Sequence, residues 1–427
     1  MVPPVRTPSA AQRSLIGHVA LVLLLAAVLT GCGSTSKSGS TAQASASAAA
    51  SGSCPRTVLG ALGKVVARAY REGVSSERTA TARHLIAASA PLRLAVERGD
   101  VGAAQAAAQA LVATGHMTNL LVMRGATTLA DVGGPALAPL RGTLRSAGGA
   151  SIGSYVTSVW SDTGFLAEAD GVAEGLVALR AGDRSVGGSF ALPAGTLPTE
   201  GSLTQNQVLY QYTSFPAETY PAGSARVYLL KRLSTTAAFC GRSSEETLVN
   251  TLSHVASLIY AGEAGQRTLP QVRRVQGDQA LLRAVARQEP AATKLAVESL
   301  LNQHIVRLRV TAGGRLLSDV GGPYVLAPVR APLRLGGRTI GSFVLSIQDD
   351  EGYLRLAKRL AGLDVLMYMN PAHPQLVKNS LGPAPGAVPA SGTYHYRGRT
   401  FRVFTLHADA FPSGPLRIAV LIPIPYS

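Results

Sequence analysis

An α+β chain made of two tandem copies is what this sequence predicts, each copy a long N-terminal helical segment packed on an antiparallel sheet of about five strands. The first observation is repetition. Leu129-Ala130-Asp131-Val132-Gly133-Gly134-Pro135 returns 188 residues on as Leu317-Ser318-Asp319-Val320-Gly321-Gly322-Pro323. The second is a longer match at the same offset, from Ile152-Gly153-Ser154-Tyr155-Val156 to Gly164-Phe165-Leu166 against Ile340-Gly341-Ser342-Phe343-Val344 to Gly352-Tyr353-Leu354. The third is the order of hydrophobic periods, helical first and strand-like later, which suits one antiparallel sheet with its helices gathered together. The match runs back to His116 and His304. It runs forward to Tyr220-Pro221-Ala222-Gly223 against Phe411-Pro412-Ser413-Gly414, so whole domains are duplicated, 54–235 and 240–427.

The second copy is the clearer to read. From Glu245 to Tyr260, Leu248, Leu252, Val255, Leu258 and Ile259 fall at helical spacing, and a second helical stretch runs from Gln279 to Asn302 with a break at Pro290. Ile305 to Val310 is β-rich, Gly313-Gly314 makes a turn, and Arg315 to Val320 returns. Pro323, Pro328 and Pro332 punctuate a loop before the strand Thr339 to Gln348. Asp350 is placed to cap a helix from Gly352 to Leu360, as Asp162 is in the first copy. Strands at Asp364 to Met369, Arg399 to His407 and Leu416 to Ile422 complete the unit.

The N-terminal residues carry an address. Arg6 and Arg13 precede an apolar run from Leu15 to Leu29, broken only at Gly17 and His18, and then comes Leu29-Thr30-Gly31-Cys32. That is the layout of an export signal over residues 1–31. Its ending resembles the lipobox of bacterial lipoproteins, which implies that Cys32 is lipidated and becomes the mature N-terminus. Residues 32–53 are almost wholly Gly, Ser, Ala and Thr after the cysteine, the composition of a flexible spacer. After Cys54 no apolar stretch approaches the ~18 residues of a membrane span. The expected location is the outer face of the cell membrane.

Composition narrows the function. Of 427 residues, 46% are hydrophobic and 5% aromatic, globular usage that excludes a disordered or fibrous chain. The net charge of +16 falls to +14 once Arg6 and Arg13 are removed, and the arginines are scattered rather than clustered. Export separates the chain from nucleic acid, so none is expected as a partner.

Catalytic and metal constellations are missing from the pattern. Gly149-Ala150-Ser151-Ile152-Gly153 fits G-x-S-x-G, yet it leads into a strand, and its counterpart Gly337-Arg338-Thr339-Ile340-Gly341 carries Thr in place of Ser. His84, His116, His254, His304, His373, His395 and His407 are dispersed, and His116 and His304 suit the capping of helix ends. Neither an enzyme nor a cofactor or metal is expected. The Asp-Val-Gly-Gly-Pro segments read first as turns and second as backbone anion nests.

The element order, with Gly341-Ser342-Phe343-Val344-Leu345-Ser346-Ile347 running into Asp350, Gly352 and Tyr353, resembles the extracellular PAS-like sensor domains called Cache or PDC domains. The resemblance covers 54–235 and 240–427. It implies a ligand-sensing module, and it places Arg141, Arg145, Arg330 and Arg334 in a segment that covers the ligand pocket. A guanidinium fork grips a carboxylate in two bonds. Arg307, Arg309, Arg330 and Arg338 correspond to Asn119, Leu121, Arg141 and Ala150, so the second copy is the better candidate for a small organic anion. The function expected is a surface lipoprotein that senses an extracellular small molecule or partner and passes the signal to another membrane protein. The alternatives are a solute-binding lipoprotein of a transporter, whose lobes would be built of βαβ units, and a structural envelope protein.

Cys54 and Cys240 occupy equivalent places ahead of the first helix of each copy, and they are the only thiols besides Cys32. If the copies pair with their opening helices side by side, as Cache-like dimers do, the two sulfurs meet as a disulfide. The address itself is directly testable: Cys32→Ser is expected to release the protein from the membrane fraction and abolish labelling by a fatty-acid analogue, both read by fractionation and gel.

Overall fold

The computed structural model describes residues 40–262, 265, 268–301, 304–370 and 373–427, so the export signal, Cys32 and residues 33–39 of the spacer lie outside the described residues. Residues 47–427 form one unit. Short polar side chains cut its helices to length. After α1 (Ser40–Val74), Ser76, Ser89 and Asp100 each accept a hydrogen bond from a backbone N–H three residues on, starting α2 (Glu77–Ala88), α3 (Ala90–Arg98) and α4 (Val101–Ala113). At the end of α4 it is Thr114, not His116, that satisfies the free carbonyls, its hydroxyl donating to Leu111 O at 2.6 Å.

Two sheets follow where about five strands were expected. Strands β1 (Asn119–Arg124), β2 (Thr127–Gly133), β4 (Leu140–Arg145) and β5 (Ser151–Ser158) make an antiparallel sheet in the order β2-β1-β5-β4. It packs against α2–α4 around Leu92, Val96, Leu120, Val122 and Leu144, a core belonging to the first copy alone. The larger sheet is built from β3 (Ala136–Leu137), β6 (Trp160–Ser161), β7 (Leu176–Ala181), β8 (Arg184–Gly188), β10 (Val208–Tyr220) and β11 (Gly223–Arg232). Its order is β6-β3-β10-β11-β7-β8, and β9 (Glu200–Gln205) adds to β10. Helix α5 (Asp162–Ala173) connects β6 to β7 within the larger sheet, and α6 (Leu233–Thr236) leads out of the copy.

The second copy repeats the plan element for element. Helices α7 (Ser244–Gly262), α8 (Leu269–Gly277), α9 (Gln279–Ala286) and α10 (Pro290–Leu301) precede β12 (Arg307–Ala312), β13 (Arg315–Gly321), β14 (Tyr324–Leu326), β15 (Val329–Leu335), β16 (Arg338–Ser346) and β17 (Gln348–Asp349). Then come α11 (Asp350–Ala361), β18 (Asp364–Met369), β19 (Gln375–Asn379), β20 (Gly392–Tyr396), β21 (Arg399–Pro412) and β22 (Gly414–Ile424). The sheet orders are β13-β12-β16-β15 and β17-β14-β21-β22-β18-β19, with β20 on β21. The proline-punctuated segment expected as a loop therefore contains β14 and β15. Pro332 is tolerated because β15 is an edge strand, where a missing N–H costs no ladder bond.

Three local expectations are corrected. The N-caps of α5 and α11 are Ser161 and Asp349, whose side chains accept from Gly164 N and Gly352 N, one residue before the aspartates read as caps. Asp350 instead accepts from Glu351 N at 2.9 Å and lies 3.6 Å from Lys378. Cys54 sits within α1 rather than ahead of it, because α1 starts at Ser40, inside the segment read as a spacer. The residues repeated between the copies do have a steric reason. A Cβ on Gly133 or Gly321 would fall 2.3 Å from the carbonyl oxygen of Thr118 or Val306, at φ +97° and +132°. These glycines are close-approach points at a strand end, which favours the turn reading of Asp-Val-Gly-Gly-Pro.

One hydrophobic core joins the copies. Val58, Leu62, Val65 and Val66 of α1 and Leu252, Val255 and Ile259 of α7 cluster with Phe165 of α5 and Tyr353 of α11. The inward residues of both large sheets close it: Val177, Leu179, Val227 and Leu229 from one, Ile418, Val420 and Ile422 from the other. Polar contacts cross the same boundary. His254 of α7 meets Glu174 at the end of α5 at 2.9 Å, and Lys64 of α1 donates to Tyr426 O at 2.6 Å.

Cys54 and Cys240 form a disulfide with their Cα atoms 5.6 Å apart, tying α1 to the residue that precedes α7. Replacing both by Ser removes a cross-link over 186 residues and is expected to cost up to about 5 kcal/mol in denaturant unfolding, without loss of secondary structure by circular dichroism. Non-reducing peptide mapping of the parent should recover the two cysteines as one linked pair.

Candidate functional site

The seven candidate arginines do not converge. Arg307 and Arg309 do share one face of β12, as the period of two requires, but both are held there by Asp319 of β13. Arg307 Nε donates to Oδ1 at 2.9 Å, and Arg309 Nε and Nη2 donate to Oδ2 at 2.8 and 2.6 Å. Both guanidiniums lie over the ring of Phe411, 5.4 and 4.4 Å from its centre. Burial alone would raise the Asp319 pKa, but its hydrogen bonds and ion pairs with the two arginines outweigh that and hold it below the ordinary value.

The first copy solves the same problem differently. Leu121 stands where Arg309 would be, Tyr220 replaces Phe411, and its hydroxyl donates to Asp131 Oδ1 at 2.7 Å. Burial and that hydrogen bond push the Tyr220 pKa up to about 12. Each copy thus satisfies one repeated aspartate, with a phenol in one and two guanidiniums in the other.

The remaining arginines are spread along sheet edges rather than in a covering loop. Arg141 is on β4 and donates to Glu218, and Arg145 Nη1 donates to Gly149 O at 2.9 Å. Arg330 on the edge strand β15 shares a shallow groove with Arg309, Thr311 and Ser342, whereas exposed Arg334 and Arg338 sit at the far end of the β15–β16 hairpin. Ser151 is the first residue of β5, and among the described residues no three His, Cys, Asp or Glu are grouped to hold a metal ion.

A larger cavity, of ≈ 790 Å³, lies between the copies. The first copy supplies Glu72 from α1, Arg78 and Thr81 from α2, and His116. The second supplies Arg355, Lys358 and Arg359 from α11 and Lys378 from β19. The three basic residues of α11 follow helical spacing and form one stripe. Most of the cations are already paired. Arg359 Nε is 2.8 Å from Glu72 Oε2, Lys358 donates to Asp364 at 2.8 Å, and Lys378 donates to Glu351 at 2.8 Å.

Two guanidiniums are not. Arg355 and Arg78 form no ion pair among the described residues, and Arg78 has only a 3.3 Å bond to Val159 O and a stack on Trp160 at 4.9 Å. Burial first, and the charge of Arg359 second, lower the Arg78 pKa, with Glu168 and Glu72 opposing. Burial likewise raises Glu72 above the ordinary carboxylate value. The groove therefore holds two cations without a direct ion pair among the described residues, while Glu77 and Glu351 also line it and Glu351 acts on Arg355 through charge alone. No single-copy reading could find it, since its halves are nearly 300 residues apart in sequence.

No family model matches the chain, and no curated protein matches it. Among solved structures, an extracellular ligand-binding receptor from Desulfohalobium retbaense DSM5692 aligns at 11% identity and a TM-score of 0.20, over 53% of this chain and 47% of that one. The chain thus spans about half the length of that receptor.

The Asp319 cluster yields a stability test. Asp319→Asn leaves two largely buried guanidiniums without a counter-ion and is expected to destabilise by roughly 2–3 kcal/mol in urea unfolding. Because the folded pKa of Asp319 is lowered, its contribution is present above the unfolded carboxylate value of ~3.9 and fades as pH falls through the lower folded value. The gap between parent and variant should therefore close in acid.

Proposed function

We propose that this chain is an extracellular, lipid-anchored binding protein that takes a small organic anion in the groove between its two copies and reports occupancy to a membrane partner. One observation carries the reading: Arg78 and Arg355 face a cavity of ≈ 790 Å³ without a direct ion pair among the described residues. Two such groups suit a ligand with two or more negative charges, since each guanidinium can take one carboxylate or phosphate oxygen pair.

Further features support the location. The Cys54–Cys240 disulfide belongs to an oxidising compartment, as an exported chain would meet. Among the described residues no helix is long and apolar enough to cross a membrane, and the lipobox-like cysteine would supply the anchor. A transporter's solute-binding lobes would be made of βαβ units, whereas the strand pairings among the described residues are antiparallel. No catalytic step is assigned to the chain.

Titration calorimetry of the full chain with citrate, malate and inorganic phosphate tests the reading. Saturable binding of at least one of them is expected, weakened about tenfold or more in Arg78→Gln and again in Arg78→Gln/Arg355→Gln. Binding by none of the three, or binding indifferent to both substitutions, would sink the proposal.

A further inference from the structure

The outer face of each large sheet carries one repeated arginine. Arg226 on β11 and Arg417 on β22 each stand three residues after the glycine that starts the strand. Arg226 faces Arg180 across β7 in the ladder, and Arg417 faces Tyr368 across β18. A cavity lies at each place, ≈ 390 Å³ in the first copy and ≈ 380 Å³ in the second. The duplication therefore offers an internal control: the same arginine, in the same position, with two surroundings.

In the first copy the protein meets its own needs. Arg226 Nη2 donates to Ser214 Oγ at 3.0 Å, while Arg180 donates to Gly182 O at 3.0 Å, Pro193 O at 2.9 Å and Asp183 Oδ1 at 3.1 Å. In the second copy those partners are gone. Thr405 stands at the place of Ser214, but its hydroxyl donates to Ala390 O at 2.7 Å. Arg417 stacks on the ring of Tyr368 at 4.2 Å, and its side chain makes no hydrogen bond among the described residues. Its Nε and the hydroxyl of Tyr368 are both buried and unpartnered, and Tyr368 as a whole is only 7% exposed. Leaving two such groups unsatisfied costs more than an ordinary hydrogen bond returns, so a buried pair of this kind is a place where a ligand repays its own desolvation.

We propose that the cavity at Tyr368, His407 and Arg417 of the second copy binds a small monocarboxylate, its oxygens accepting from the guanidinium and from Tyr368 Oη, while the arginines of the first copy's counterpart are satisfied by their own neighbours. The row is continuous: Tyr368, Arg417 and His407 are direct cross-strand neighbours on β18, β22 and β21. Asn370 and Asp409 complete the polar lining. Asp409 sets the charge limit, because a second anionic group would meet it, whereas a hydroxyl or ammonium beside the carboxylate would pair with it. This cavity is separate from the groove between the copies, and the inference does not rest on that groove being occupied.

Titration calorimetry of the full chain with lactate, glycine, acetate and succinate is the test. Lactate or glycine should bind best, and succinate, titrated into the Arg78→Gln/Arg355→Gln chain so that the inter-copy groove does not take it, should bind worst. Arg417→Gln should weaken the best ligand about tenfold or more and Tyr368→Phe several-fold, while Arg226→Gln leaves it unchanged. Tyr368→Phe removes one oxygen and keeps the stacked ring, so it stands as the test should Arg417→Gln fail to fold. The proposal is overturned if no monocarboxylate binds saturably, if Tyr368→Phe and any folded Arg417→Gln bind as the parent does, or if Arg226→Gln abolishes binding.

Discussion

Everything else in this molecule depends on one core shared between the copies. Each large sheet presents an apolar face that four helices, α1, α5, α7 and α11, cover together. Neither copy could bury that face alone to the same extent, since part of what covers it belongs to the other. At roughly 25 cal/mol per Å² of apolar surface, that loss would outweigh any single polar contact across the boundary. Cys54 is itself part of this core, and the disulfide and the His254–Glu174 contact tie together elements that burial has already brought side by side.

The shared core also explains where polar surface accumulates. Because α11 of one copy packs beside α1 of the other, the basic stripe Arg355, Lys358 and Arg359 meets Glu72 and Arg78 along a seam. Glu72 pairs with Arg359 at the centre of that seam, where burial raises its pKa, and Arg78 and Arg355 are left without a direct ion pair among the described residues. The inter-copy groove is a product of assembly, with chemistry that neither half carries.

Duplication left two solutions to each local problem, and comparing them separates structure from function. The repeated Asp131 and Asp319 are both satisfied, by a phenol in one copy and by two guanidiniums over an aromatic ring in the other. That symmetry of outcome marks a structural role, and it withdraws Arg307 and Arg309 from the pool of unpaired cations. At Arg226 and Arg417 the outcomes differ, one arginine satisfied and one not. An unequal outcome at equivalent places is the more informative one, because folding alone would have no reason to leave it.

The sequence by itself determined the duplication, the antiparallel strands from Asp364 to Met369 and from Leu416 to Ile422, and the break at Pro290, since strong periodicity and proline act locally. It also marked Cys54 and Cys240 as equivalent positions, though only packing could bring their Cα atoms to 5.6 Å. Short strands such as β14 and β17 leave no trace in the sequence because two or three residues carry no period, and their existence depends on partners far along the chain. The caps shifted by one residue for a similar reason: Ser161 and Asp349 compete with neighbouring aspartates, and backbone geometry chooses between them. The division of each copy into two sheets, the shared core, and the difference between a satisfied arginine and an orphaned one were decided by tertiary structure. Each is a relation between residues distant in sequence, and burial and hydrogen bonding are properties of such relations rather than of the residue types.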